Sequence, residues 1–170
     1  MSGCHRVEGC DDPRIAAFGL VMDVRFLLSC RLAPVMARHG IAERDFDAVL
    51  QLARSPDGQL RMSDLAAKTG MSTSGMTRVV DRLERQELVT RHPHPTDRRA
   101  SIVGLTEDGV ARLRELMPDL HAAIDQWFTA RLSDTQREQV LGGLGLVREA
   151  LLDSSETEPP AGAFGSPGHC

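Results

Sequence analysis

The sequence predicts a mainly α protein with a small β-wing, and three observations carry that prediction. Aromatic residues make up only 4% of the 170-residue chain and tyrosine is absent, so the core must be aliphatic, which suits helices better than a β-sandwich. Most of the chain between residues 13 and 152 repeats its apolar residues with helical spacing. One stretch, Met62 to Thr106, departs from this. It holds two short capped helices and then two strand-like runs around a loop rich in Pro, Asp and Arg.

Taken in order, residues 1–12 are polar and are expected to form a disordered tail. Asp11, Asp12 and Pro13 read as a helix start, with acids at the positive end of the dipole and Pro in the first turn. The first helix is expected from Pro13 to His39, with a kink or break near Leu32 because of Pro34, and Gly40 ends it. A second helix is expected from Ala42 to Arg54, with Phe46, Val49, Leu50 and Ala53 on its inner face. Ser55-Pro56-Asp57-Gly58 reads as a turn, and Gln59 to Met62 as a short strand able to pair with the wing.

Ser63 reads as the N-cap of the next helix and Gly70 as its stop. Ser72 or Thr73 caps a second one, whose Met76, Val79, Val80 and Leu83 follow i, i+3, i+4, i+7 spacing. Two helices joined by a short Gly-containing turn are the signature of a helix-turn-helix. Opposite the apolar stripe fall Ser74, Arg78, Asp81 and Arg85, with Thr77 and Arg82 at its flanks. Small hydroxyls allow close approach to a major groove, and Arg can read guanine bidentately. Leu88 to Thr90 and Ser101 to Leu105 read as strands. The stiff, proline-containing hairpin tip between them carries arginines able to reach phosphates or a narrow minor groove.

Thr106 reads as the cap of a helix with Val110, Leu113, Met117, Leu120, Ile124 and Trp127 in a heptad-like seam, kinked by Pro118. Ser133 to Gln136 form a capping box for a last helix reaching Leu152, with Val140, Leu141, Leu144, Val147 and Leu151 on one side. Residues 153–170 are expected to be a disordered tail. The expected domain is therefore 13–152, with 42–106 as a winged helix-turn-helix and 13–40 and 107–152 as dimerisation helices. The terminal helices carry more apolar surface than one small domain covers. A homodimer also places two recognition helices about one DNA turn apart, on a palindromic double-stranded operator.

The net charge is −4, unusual for a DNA reader. Between Arg61 and Thr106, however, eight basic residues face five acidic ones, so the remainder of the chain carries −7. Phosphate affinity is a local property. No apolar run approaches the roughly 18 residues of a membrane helix, and the first residues lack the apolar stretch of a signal peptide. A cytoplasmic location without membrane contact is the expectation.

Asp97-Arg98-Arg99, the strand Ser101 to Gly104, and Leu105-Thr106-Glu107-Asp108-Gly109 together form a D-x-R, strand, L-T-x-x-G pattern. This pattern resembles that of the MarR (multiple antibiotic resistance regulator) family of winged helix-turn-helix transcriptional regulators, and the resemblance spans residues 13–152. It departs at Glu87, where the family often has Gly. The resemblance implies a triangular dimer that represses transcription and leaves DNA when a small, often phenolic, ligand binds between its dimerisation and reading parts. It implies minor-groove insertion by Arg99, anchored by Asp97, and a phosphate contact from Arg98. It also implies recognition-helix contacts from Thr73, Ser74, Thr77 and Arg78; Arg82 joins them from the helical wheel.

Other chemistry has less support. No catalytic triad, phosphate loop or carboxylate motif is present, so no enzyme and no cofactor is expected. His92 and His94 point to one side of the wing but lack the further ligands zinc needs, and no metal is assigned. Cys4, Cys10, Cys30 and Cys170 form no C-x-x-C pair and are expected reduced, with Cys30 inert within the first helix. The family's peroxide-sensing cysteine position falls at Phe18, and the supporting tyrosines are missing. Trp127 and Phe128 read as dimer packing or as the lining of a ligand pocket. The alternatives are a redox- or metal-responsive regulator of the same fold and a winged-helix protein-interaction module that does not bind DNA.

Overall fold

A computed structural model of the chain describes residues 11–97 and 100–153. Six α-helices and three strands follow in the order α1 (Pro13–Arg38), α2 (Glu43–Ala53), β1 (Gln59–Arg61), α3 (Met62–Lys68), α4 (Thr73–Arg85), β2 (Val89–Pro93), β3 (Ser101–Leu105), α5 (Glu107–Trp127) and α6 (Asp134–Asp153), with a 3-10 turn at Thr129–Arg131. The fold is mainly helical with one small antiparallel sheet, as the composition implies.

The sheet has the order β1-β3-β2. In β2, Val89 faces Leu105 and Pro93 faces Ser101; in β1, Leu60 faces Val103. The short strand before the helix-turn-helix thus pairs with the wing as expected.

The core lies under the helix-turn-helix. Its fully buried members come from α2 (Ala48, Val49, Leu52), α3 (Leu65), α4 (Met76, Val80, Leu83), β3 (Val103) and α5 (Leu116), closed by Ile41. All four residues of the α4 stripe are buried, each worth about 2 kcal/mol of transfer free energy.

Helix ends obey local chemistry. Asp12 caps α1 by accepting from the Arg14 amide at 2.8 Å, Ser72 caps α4 through the Gly75 amide at 3.1 Å, and Thr106 caps α5 through Gly109 at 2.9 Å. The Ser133–Gln136 box closes reciprocally, at 3.0 and 3.3 Å. Helix α3 ends at Gly70, whose φ of 64° lets the Met71 amide turn back to the Ala66 carbonyl at 2.9 Å. This is the tight turn between the two helices of the helix-turn-helix. Helix α4 ends in the same way, with Leu88 N–H donating to the Leu83 carbonyl at 3.0 Å, but its left-handed residue is Glu87, at φ 59°.

Several expectations are corrected. Ser63 does not cap α3: Arg61 occupies that position without a side-chain bond, and the Ser63 hydroxyl leans on Asp64. Helix α1 continues through Pro34 without the break expected near Leu32, and Val35 and Met36 immediately after it are buried in the core. Helix α5 likewise continues through Pro118, and its buried side is Gly109, Leu113, Leu116, Leu120 and Ala123. Of the expected heptad seam, Leu113 and Leu120 are buried in the single chain, and Met117 and Ile124 are partly buried against the core. The inner face of α2 is Asp45, Ala48, Val49 and Leu52; Phe46 packs at its edge and Ala53 is exposed. Cys30, expected as an inert thiol, is half-buried and disulfide-bonded; the other three cysteines lie outside the described residues.

Candidate nucleic-acid interface

Helix α4 is amphipathic enough to settle its own rotation. With Met76, Val79, Val80 and Leu83 locked inside, Thr73, Ser74, Arg78, Asp81 and Arg85 face solvent. Thr77 is half-buried and its hydroxyl donates to the Thr73 carbonyl at 2.9 Å. Arg78 is exposed and makes no ion pair with any described residue, so its guanidinium is available to a ligand. Arg85 folds back along its own helix, Nε donating to the Asp81 carbonyl at 3.1 Å.

Arg82 is placed differently from the expectation. Its Nε donates to Asp45 Oδ2 at 2.7 Å and its Nη2 donates to Oδ1. Asp45 is 1% exposed and is the buried charged residue of the described core. Hydrogen bonding to Asp45 raises the Arg82 pKa further above its already high value. Sequence reasoning misses Asp45, although a signal exists: it takes position i of the i, i+3, i+4, i+7 stripe completed by Ala48, Val49 and Leu52. A charge in that position asks for a buried partner.

On the other flank of α4, Arg91 of β2 meets Asp81 at 2.7 Å and Glu84 at 3.2 Å. This ties the root of the wing to the helix. Below the tip, Arg61 Nη2 donates to His94 Nε2 at 2.9 Å, so His94 is engaged with β1. Among the described residues no three His, Cys, Asp or Glu side chains cluster as a metal site would require. Asp97 is exposed in the tip loop, where its carbonyl accepts from the Ala100 amide at 3.0 Å. Arg98 and Arg99 lie outside the described residues.

Away from the reading head, a cleft of about 400 Å³ opens between α1 and α5. Arg31, Pro34, Val35 and Arg38 line one side; Asp119, Ala123, Gln126 and Trp127 line the other. The Arg31 guanidinium stacks 4.5 Å from the centre of the Trp127 ring. Asp119 accepts from His39 Nε2 at 3.0 Å, with Arg38 at 3.7 Å. The His39 bond, aided by Arg38, holds the Asp119 carboxyl below the usual range. Of the two aromatic residues that could line a pocket, only Trp127 borders this cleft.

Fold and exposed helix together define a winged helix-turn-helix protein. The chain belongs to the MarR family: the family model matches residues 39–100. It is 35% identical over 101 residues to the HTH-type transcriptional regulator MhqR of Bacillus subtilis, a match covering 59% of this chain and 68% of that protein. It is 32% identical over 106 residues to the transcriptional repressor MprA of Escherichia coli, covering 62% of this chain but only 60% of the repressor's length. Among solved structures it resembles Sco3205, a MarR family transcriptional regulator from Streptomyces coelicolor in complex with DNA. That likeness has a TM-score of 0.75 and 25% identity, and covers 92% of this chain and 95% of the other. The relatives are transcriptional regulators rather than enzymes. No helix of the described residues is long and apolar enough to cross a membrane.

Proposed function

We propose that the chain is a dimeric, sequence-specific DNA-binding transcriptional repressor, released from its operator by a small ligand. One observation carries the DNA reading: the first two turns of α4 present to solvent Thr73, Ser74 and an Arg78 that pairs with no described residue, while the opposite side of the same helix is fixed in the core. Small hydroxyls with one available guanidinium at the N-terminal end of such a helix suit base edges in a major groove. The DNA complex of the related Streptomyces regulator supports this reading. Asp97, Arg98 and Arg99 of the wing are proposed to serve the adjoining minor groove and phosphates.

The division of labour follows. Residues 42–106 read DNA, and 13–40 with 107–152 pair two chains across a two-fold axis on a palindromic site. The cleft between α1 and α5 is the proposed effector site. Its stacked Arg31–Trp127 pair and Arg38 suit a planar, phenolic or anionic molecule. Such a ligand would sit between the two proposed dimerisation helices α1 and α5, away from the helix-turn-helix.

The test begins with selection of a duplex from random sequence by the wild-type protein. Binding should be salt-dependent and much tighter than to a shuffled duplex of equal length. Replacing Arg78 by Ala should weaken binding to the selected duplex about tenfold, the size of one guanine interaction. Equal affinity for selected and shuffled DNA in fluorescence polarisation would refute the proposal and favour a protein-interaction module.

A further inference from the structure

We infer that Arg82 is a positioning residue: clamped to buried Asp45, it sets the pose of the recognition helix on α2 and does not itself contact DNA. The inference rests on the DNA-binding reading above.

Arg82 stands one turn beyond Arg78 and at the flank of the reading face, where a wheel would count it as a phosphate contact. Two facts separate it from Arg78. Both of its bonds to Asp45 run inward, in the bidentate fork that guanidinium and carboxylate prefer. And Asp45 is 1% exposed, so the carboxylate has no water to replace the guanidinium if Arg82 swings out to DNA. Leaving an uncompensated buried charge is a heavy penalty, larger than the return from one more phosphate. The pair joins α2, from the core of the head, to α4, which reads. On the opposite flank Asp81 and Glu84 hold Arg91 of β2. The second half of α4 is thus gripped from both sides, and only its first two turns are left to meet bases.

The clamp makes a prediction opposite in sign to simple electrostatics. Asp45→Asn removes a negative charge and releases Arg82. A freed Arg82 able to reach phosphate would tighten DNA binding. With a positioning role, Asp45→Asn instead loosens α4 and weakens binding to the selected duplex about tenfold or more, while binding to the shuffled duplex stays equal or tightens slightly.

The experiment titrates wild type, Asp45→Asn, Arg82→Gln, Arg78→Ala and the double variant Asp45→Leu/Arg82→Met against both duplexes across a range of salt. Arg78→Ala serves as a direct-contact reference. Arg82→Gln is expected to lose affinity for the selected duplex with the slope of log affinity against log salt unchanged. A residue seated on a phosphate would lower that slope by about 0.9 when removed. The double variant replaces the ion pair by apolar packing. It is expected to bind the selected duplex more tightly than Asp45→Asn or Arg82→Gln, and it decides the matter if either of these does not fold by circular dichroism: a folded double variant should then keep the wild-type salt slope. Tighter binding of the selected duplex by Asp45→Asn, a reduced salt slope for Arg82→Gln or for the double variant, or a double variant no better than Arg82→Gln on the selected duplex overturns the inference. If the wild type itself does not prefer the selected duplex, the DNA-binding reading fails first and the inference falls with it.

Discussion

A methyl group on residue 109 would lie 2.1 Å from the Leu88 carbonyl oxygen and 3.0 Å from its carbon. Both are backbone atoms and cannot rotate away. This is the physical content of the glycine in Leu105-Thr106-Glu107-Asp108-Gly109: the first turn of α5 must pass directly over the chain leaving α4. Gly109→Ala is therefore expected to destabilise the protein by about 3 kcal/mol or more, beyond an ordinary overpacking change, read as a lowered midpoint in urea unfolding. Glu87 has the converse problem. It holds a left-handed backbone, a conformation that costs a side-chain-bearing residue about 1–2 kcal/mol. Its side chain is exposed, so nothing else is lost on removing it. Glu87→Gly should stabilise by about 1 kcal/mol, after the extra entropy of the unfolded glycine is deducted, and the same urea titration reads it as a raised midpoint. The departure from the family pattern at this position is thus a strained residue at a helix end.

At the scale of elements, most of the local capping chemistry is readable from the sequence, Ser63 excepted, whereas long-range side-chain pairing is not. Ser72, Thr106 and the Ser133–Gln136 box declare themselves because a cap needs only its neighbours. Strand β3 is legible residue for residue between its punctuating loops. The inner face of α2 is not, because a wheel turns every Asp outward, and the partner that turns Asp45 inward lies 37 positions away. Arg82 is hidden for the same reason, seen from the other end. The break expected at Pro34 is absent because propensity describes an isolated helix, whereas burial of Val35 and Met36 acts on this one.

The junction of α1 and α5 permits a prediction at the same scale. Asp119 has its pKa lowered by His39 first and by Arg38 as well. A depressed carboxyl stabilises the fold above its unfolded pKa of about 3.9 and loses that contribution as pH falls through the lower folded value. Wild type should therefore lose more of its Tm between about pH 6 and about pH 3 than Asp119→Asn does. Parallel melting curves against pH would rule out the coupling. The carboxylate is solvent-exposed, and added salt should shrink the difference.

For the whole molecule, what counts is the surface left uncovered. Helix α6 buries none of its residues in the single chain, and Leu141, Leu144, Val147 and Leu151 are all exposed. Helix α1 exposes Ile15, Phe18, Leu20, Val21 and Leu27 as well. Apolar surface of this extent, at both ends of the described chain, is what the proposed dimer would cover. Introducing Leu144→Asp and Leu151→Asp together should convert the proposed dimer to a monomer in light scattering, with DNA affinity falling because two half-sites are no longer read at once. An unchanged mass would remove the C-terminal helix from the interface. Apolar spacing announces this surface in the sequence, but spacing alone does not say which apolar residues of α5 turn inward.

Thr106 remains. Its hydroxyl donates to the Glu87 carbonyl at 2.6 Å and accepts from the Gly109 amide at 2.9 Å, while its own amide donates to the Leu88 carbonyl at 3.2 Å. One residue thus rivets the end of α4 to the beginning of the long helix α5, with Gly109 pressed against the same spot. Mechanically this is a welded joint rather than a hinge. A tilt of α5, whatever drives it, reaches the far end of α4 without slack, and the compliance of the molecule must be sought elsewhere along the chain.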